Sequence, residues 1–116
     1  MAKHNKLEKD GELIAFMILQ RDGFTILETN WCFQKAEVDI IAQKDKFLIF
    51  IEVKTSRNKK FGKPSDTTDK KNISLYKKAV ENYLEKYPSD LEIRFDVMNI
   101  IIDKEETEIE HIPNVF

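Results

Sequence analysis

The stretch EVDIIAQKDKFLIFIEVK, residues 37–54, decides how this chain is read. Its first half alternates: Glu37, Asp39, Ile41 and Gln43 fall on one face of a strand, and Val38, Ile40 and Ala42 on the other. Its second half, Phe47 to Lys54, is apolar on both faces until its end, the pattern of a central strand covered on two sides. Lys44-Asp45-Lys46 supplies a turn between the two, so the halves should pair as a hairpin. If the turn holds an even number of residues, Asp45-Lys46 or Lys44 to Phe47, Asp39 and Glu52 come directly opposite one another on one face. Their Cβ atoms would then stand roughly 4.5–5.5 Å apart. Lys54 shares the face of Glu52, with Glu37 across from it. A three-residue turn would instead set Asp39 against Ile51.

Two carboxylates in direct cross-strand opposition repel and weaken a sheet unless something positive sits between them. A proton, Lys54 or a divalent cation would serve. Carboxylate oxygens at a water-accessible strand end suit Mg²⁺ or Mn²⁺, which keep several waters for a substrate phosphate. Lys54 alongside could hold an attacking water and offset charge developing on that phosphate. The competing reading is an ion-pair cluster of Asp39, Glu52, Lys54 and Glu37 that only holds the hairpin together. Spacing leaves both open.

Working toward the N-terminus, residues 6–21 read as a helix, with Asp10-Gly11 its one weak spot and Leu13, Ile14, Met17 and Ile18 at helical spacing. Glu12 precedes Ala15 and Phe16, so it lies on or beside the buried side of that helix. A carboxylate there needs a partner. Joining Asp39 and Glu52 would supply one; solvation at the edge of the apolar stripe is the alternative.

Between helix and hairpin, Phe24 to Asn30 is a first strand. After the hairpin, Thr55 to Asp69 is a basic loop. A second helix starts near Asp69, carried by Ile73, Tyr76, Val80, Tyr83 and Leu84, and stops at Pro88. Leu91 to Ile102 is another long strand, and Glu105 to Ile112 a short edge strand. The order α-β-β-β-α-β-β gives an α/β class protein, a mixed sheet flanked by helices, in a single domain over residues 1–116.

Composition fits this. With 41% hydrophobic and 34% charged residues among 116, the chain can bury a core under a charged surface. Its longest apolar run, Leu13 to Leu19, is far short of the roughly 20 residues of a membrane span. No signal-peptide pattern opens the sequence, and the lone Cys32 excludes an internal disulfide framework, so a cytoplasmic protein is expected. A formal net charge of −2 hides a basic middle: Lys54 to Lys78 carries 9 basic and 2 acidic residues, Ala79 to Phe116 carries 3 and 10. Such a middle can attract a polyanion, because the field that matters is local. Arg57, Lys59, Lys60, Lys63, Lys70 and Lys71 could track a phosphate backbone, or form a solvated basic loop and helix start.

The constellation resembles the PD-(D/E)XK nuclease superfamily, with Asp39 as the motif's Asp and Glu52-Val53-Lys54 as its (D/E)XK. Much of the chain is also similar to the YraN-like family of small bacterial proteins, themselves similar to archaeal Holliday junction resolvases. The matching pieces are Gly11-Glu12 with Ala15, Asn30-Trp31, Glu37 to Ala42, Ile51 to Thr55, Phe61-Gly62 with Pro64, Tyr83-Leu84, Arg94 to Val97, and His111-Ile112 with Asn114 and Phe116. The resemblance implies a restriction-endonuclease-like fold, Glu12, Asp39 and Glu52 as Mg²⁺ ligands, and Lys54 as catalytic lysine. One departure is Ala36, where these proteins usually have Gly, which alters how closely a substrate backbone can approach.

The expected function is a Mg²⁺- or Mn²⁺-dependent endonuclease hydrolysing phosphodiester bonds in DNA, branched or structured forms included. A non-catalytic nucleic-acid-binding or adaptor module on the same fold is the alternative. A homodimer follows by analogy with resolvases. Trp31 and Phe33 are read as packing residues, as is Cys32; His111 is read as structural, and Arg94 with Asp96 as an internal ion pair.

Overall fold

The computed structural model describes residues 5–57, 70–104 and 106–115. Helix α1 runs Lys6–Arg21. Asn5 caps it, its side-chain oxygen accepting the Glu8 N–H at 2.8 Å and satisfying one of the donors a helix start leaves open. Strands β1 (Thr25–Phe33), β2 (Ala36–Lys44) and β3 (Phe47–Ser56) follow, then helix α2 (Lys70–Lys86), β4 (Glu92–Ile102) and β5 (Thr107–Ile112). The expected order is the observed one. Strand β1 runs further than expected, through Trp31 and Phe33, and β5 starts later.

The sheet order is β1-β2-β3-β4-β5. Neighbours are antiparallel except β3 and β4, which run parallel. A parallel pair needs a long crossover, and α2 lies within it. β3 is central, and both of its faces are covered. Ile49 and Ile51 join Ala15 and Leu19 of α1 in one core, and Leu48 and Phe50 join Tyr76, Ala79, Val80 and Tyr83 of α2 in the other. The helices therefore sit on opposite faces of the sheet, in three layers.

The β2–β3 turn is the two-residue Asp45-Lys46, with Lys44 paired to Phe47 and Asp45 at φ 54°. Asp accepts that left-handed position better than most residues, because its short side chain can bond locally. This even turn sets the register in which Ile40 faces Ile51. Strict alternation along β2 fails, however. Val38 packs in the α2-side core with Ile41, while Ile40 and Ala42 pack in the α1-side core. The strand changes face at Asp39, so Asp39 does not share one continuous face with Ile41 as alternation predicts.

Gly11, the weak spot of α1, is buried against β3. A Cβ there would overlap the Thr55 hydroxyl and stand 2.8 Å from Thr55 Cγ2 and 2.9 Å from Thr55 Cβ. The glycine costs helix propensity but lets α1 lie close enough to β3 for Glu12 to reach the strand ends.

Candidate metal and phosphate site

The β2–β3 ladder stops at Ile40 and Ile51, one residue before Asp39 and Glu52 would meet. In place of a backbone partner, Val53 N–H donates to Asp39 Oδ2 at 2.8 Å. The two strands part here, and the carboxylates line the opening instead of facing across a closed ladder. The Asp39 side chain thus supplies the acceptor that the Val53 N–H would otherwise find on a ladder partner. Glu52 and Lys54 do share a face: Lys54 Nζ lies 3.6 Å from Glu52 Oε1, both partly buried. No ladder pair joins Glu37 to Lys54; Glu37 lies opposite Cys32 of β1 and accepts the Cys32 thiol at 3.3 Å.

Glu12 reaches the same opening from α1. Its Oε1 accepts from Asn30 Nδ2 at 2.9 Å. Asn30 itself sits at φ 52°, between the pairs Thr29–Ile40 and Trp31–Val38, which sets it opposite Asp39. Asn30 therefore ties the α1 carboxylate to the point where β2 changes face. The Asn30-Trp31 motif was visible in the sequence, but its link to Glu12 was not, because the two residues come from different elements.

The electrostatics mark Asp39 as the centre. Burial pushes its carboxyl up to about 8, against the pull of the Val53 N–H, and the negative charges of Glu12, Glu37 and Glu52 push the same way. Tyr76 of α2 lies beneath: burial first, then Asp39 and Glu52, hold its phenol well above the ordinary value. The helical spacing marked Tyr76 as core, with no sign that it backs the site. Asn99, 2% exposed on β4, is in register with Lys54 on one side and Glu110 on the other, and its Nδ2 donates to Glu110 Oε1 at 3.1 Å. A polar row thus crosses three strands from Lys54 to the sheet edge.

The donors are all oxygen and suit a hard cation such as Mg²⁺ or Mn²⁺. Asp39 feeling three other carboxylates at once is the electrostatic condition that such an ion would relieve. Among the described residues, no three His, Cys, Asp or Glu side chains stand close enough to grip one ion as placed.

Of the basic residues, Arg57 is exposed just beyond β3. Lys70 and Lys71 open α2. Lys59, Lys60 and Lys63 lie outside the described residues. Cys32, expected to pack, is exposed. Trp31 packs edge-on against Tyr83 with ring centroids 5.1 Å apart and donates to Asn82 at 3.2 Å, the packing role expected of it.

Away from the opening, Asp96 is fully buried and bound from three directions. Arg94 donates through Nε and Nη2, both at 2.9 Å, His111 Nε2 lies 2.7 Å away, and the Asn114 N–H donates at 3.1 Å. Burial alone would raise its carboxyl, but His111, Arg94 and Asn114 outweigh it and hold it below the usual range. The motif pieces Arg94–Val97 and His111–Asn114 are one structural clasp on β4, β5 and the segment after it.

Residues 11–100, from the glycine of α1 through the row at Asn99, match the family described as Uncharacterised protein family UPF0102. The chain belongs to that family. The UPF0102 protein of Flavobacterium psychrophilum is 47% identical over 116 residues, which cover 100% of this chain and 98% of its own. The relative from Christiangramia forsetii shows the same identity and coverage. That of Dictyoglomus thermophilum is 45% identical over 102 residues, 87% of this chain and 86% of its own. UPF0102 is the YraN-like, PD-(D/E)XK nuclease-like family that the motifs resemble. Among the described residues, no helix is long and apolar enough to cross a membrane.

Proposed function

We propose that this UPF0102 protein is a divalent-metal-dependent endonuclease that hydrolyses phosphodiester bonds in DNA. What supports the reading is the end of the β2–β3 ladder, where the Asp39 carboxyl takes the Val53 N–H, Lys54 pairs with Glu52, and burial, with the charges of Glu12, Glu37 and Glu52, lifts Asp39 to about 8. Glu12, Asp39 and Glu52 would hold Mg²⁺ or Mn²⁺. Bound there, the ion would polarise a phosphoryl oxygen and acidify a water. Lys54, beside Glu52, orients the attacking water and offsets charge gathering on the phosphate. Glu52 keeps the ammonium in place through their 3.6 Å pairing, and Asn99 holds the neighbouring position on β4. Burial around Asp39 strengthens each of these charge interactions.

The test is incubation of end-labelled duplex, flap and four-way-junction DNA with Mg²⁺ or Mn²⁺. Cleavage is expected from the wild type, with loss of 10²-fold or more in Asp39→Ala and Lys54→Ala by the usual scale of such electrostatic contributions. Equal cutting by those variants would refute the reading. The engagement of Glu12 by Asn30 and of Glu52 by Lys54 favours a second reading, an adaptor that binds nucleic acid without cutting it. Salt-sensitive DNA binding with no cleavage of any substrate would select that one.

A further inference from the structure

Beyond the carboxylate opening, β3 and β4 end side by side. They are the one parallel pair among the described strands, and ligands of α/β sheets gather outside the carboxyl ends of such strands. There a cavity of about 340 Å³ is lined by Arg57, just past the end of β3, and by Ile102, Asp103 and Lys104 at the end of β4. Its cations come from two different strands. Among the described residues, neither Arg57 nor Lys104 has a carboxylate partner. Asp103 lines the cavity too, without an ion pair to either cation: its Oδ1 accepts the Lys104 N–H at 2.6 Å, and its own N–H donates to the Glu106 carbonyl. A guanidinium and an ammonium that line one cavity together favour an anion between them.

We propose that this cavity is a second phosphate subsite, in which Arg57 and Lys104 together grip one phosphodiester of the nucleic-acid strand that passes Lys54. Arg57 follows Lys54 by three residues, ~10 Å along a strand that rises ~3.3 Å per residue, an odd step toward the opposite face, so the subsite lies round the strand end from Lys54. The planar guanidinium supplies paired, directional donors and Lys104 a compact charge on the other side. The subsite deepens the nuclease reading and rests on it for the identity of the strand. It fixes the register of the backbone relative to the opening without reading sequence.

The test measures anisotropy of a fluorescein-labelled DNA duplex in EDTA across a salt series, for wild type, Arg57→Gln, Lys104→Gln, the double variant and Lys46→Gln. Lys46 lies in the turn at the opposite end of β3 and serves as a charge-matched control. One shared phosphate predicts that each single variant flattens the slope of log K against log salt by about 0.9, and that the double variant flattens it no further. Lys46→Gln should keep the wild-type slope. An unchanged slope in Lys104→Gln, or a double variant that loses twice as much as either single, overturns the proposal. If the wild type binds no DNA, the nuclease reading fails, and titration with inorganic phosphate decides the subsite separately. Saturable amide shifts at Arg57 and Lys104 that vanish in the double variant then uphold it, and their absence overturns it.

Discussion

Replacing Gly11 by alanine tests the close approach that brings α1 to the site. In an exposed helix, Gly→Ala stabilises by about 1 kcal/mol, because the unfolded chain loses freedom and the helix gains propensity. Here the new methyl would enter the space of the Thr55 side chain, 2.8 Å from Cγ2 and 2.9 Å from Cβ. Overpacking of a well-filled contact costs about 1–3 kcal/mol. Two of the three crowding atoms belong to a β-branched side chain with few alternative rotamers, and the third is its Cβ, which moves only with the strand. The overlap should therefore win, with a net loss of about 1–2 kcal/mol. A loss of 1 kcal/mol lowers Tm by roughly 4–8 °C in a domain near this size. Urea unfolding followed by circular dichroism reads the change as a lower midpoint at unchanged slope. Thr55→Ala in the same chain removes the hydroxyl and the methyl, so the pair should recover part of the loss and show a coupling a distant pair would lack. A Gly11→Ala variant that is more stable than wild type would refute the close approach and, with it, the account of how Glu12 is positioned.

Three further outcomes follow from the electrostatics. Asp96→Asn leaves the Arg94 guanidinium half of a largely buried pair, and should lower stability by about 3 kcal/mol in urea unfolding at pH 7. Because the folded state holds Asp96 below its ordinary 3.8, the stability it adds is present above that value and disappears as pH falls through the lower, folded value. The wild type should therefore lose more stability on acidification than Asp96→Asn does. Asp39 has the opposite sign: raised to about 8, it keeps a proton in the folded state that the unfolded chain releases from 3.8 upward. Its contribution is complete below 3.8 and is lost as pH rises to about 8, so in EDTA the urea midpoint of Asp39→Asn should gain on the wild type between pH 5 and pH 9. A bound cation must displace that proton, so Mn²⁺ affinity should rise with pH until about 8, with proton release visible as buffer-dependent heats in calorimetry. PH-independent heats would place the ion elsewhere.

Much of this fold is legible from local pattern. The stripe at Ile14 and Ile18 specified α1, the two-sided apolar run from Phe47 placed β3 at the centre, and Pro88 closed α2. These signals are strong because each arises within one element, where residue spacing maps directly onto direction. Glu52 and Lys54 were legible for the same reason, since two positions along one strand share a face whatever packs on it. The clasp at Asp96 was half visible, as Arg94 and Asp96 on one strand, while His111 and the Asn114 N–H came into view only with β5 in place.

Where the elements meet, local pattern stopped being enough. Alternation with an even turn set Asp39 squarely opposite Glu52, but the Asp39 side chain takes the Val53 N–H in place of a ladder bond, and β2 turns over at that residue. Glu12 was a carboxylate in search of a partner until α1, seated on β3 through Gly11, brought it to Asn30. Tyr76 beneath Asp39 and Asn99 beside Lys54 belong to elements remote in sequence; helical spacing marked Tyr76 as core only, and nothing along the chain marked Asn99. Residue order alone named the candidate groups and the elements on which they ride. How far apart they stand, and what charge each one feels, depended on packing three layers together, because distance and dielectric are properties of the assembled neighbourhood and not of any one segment.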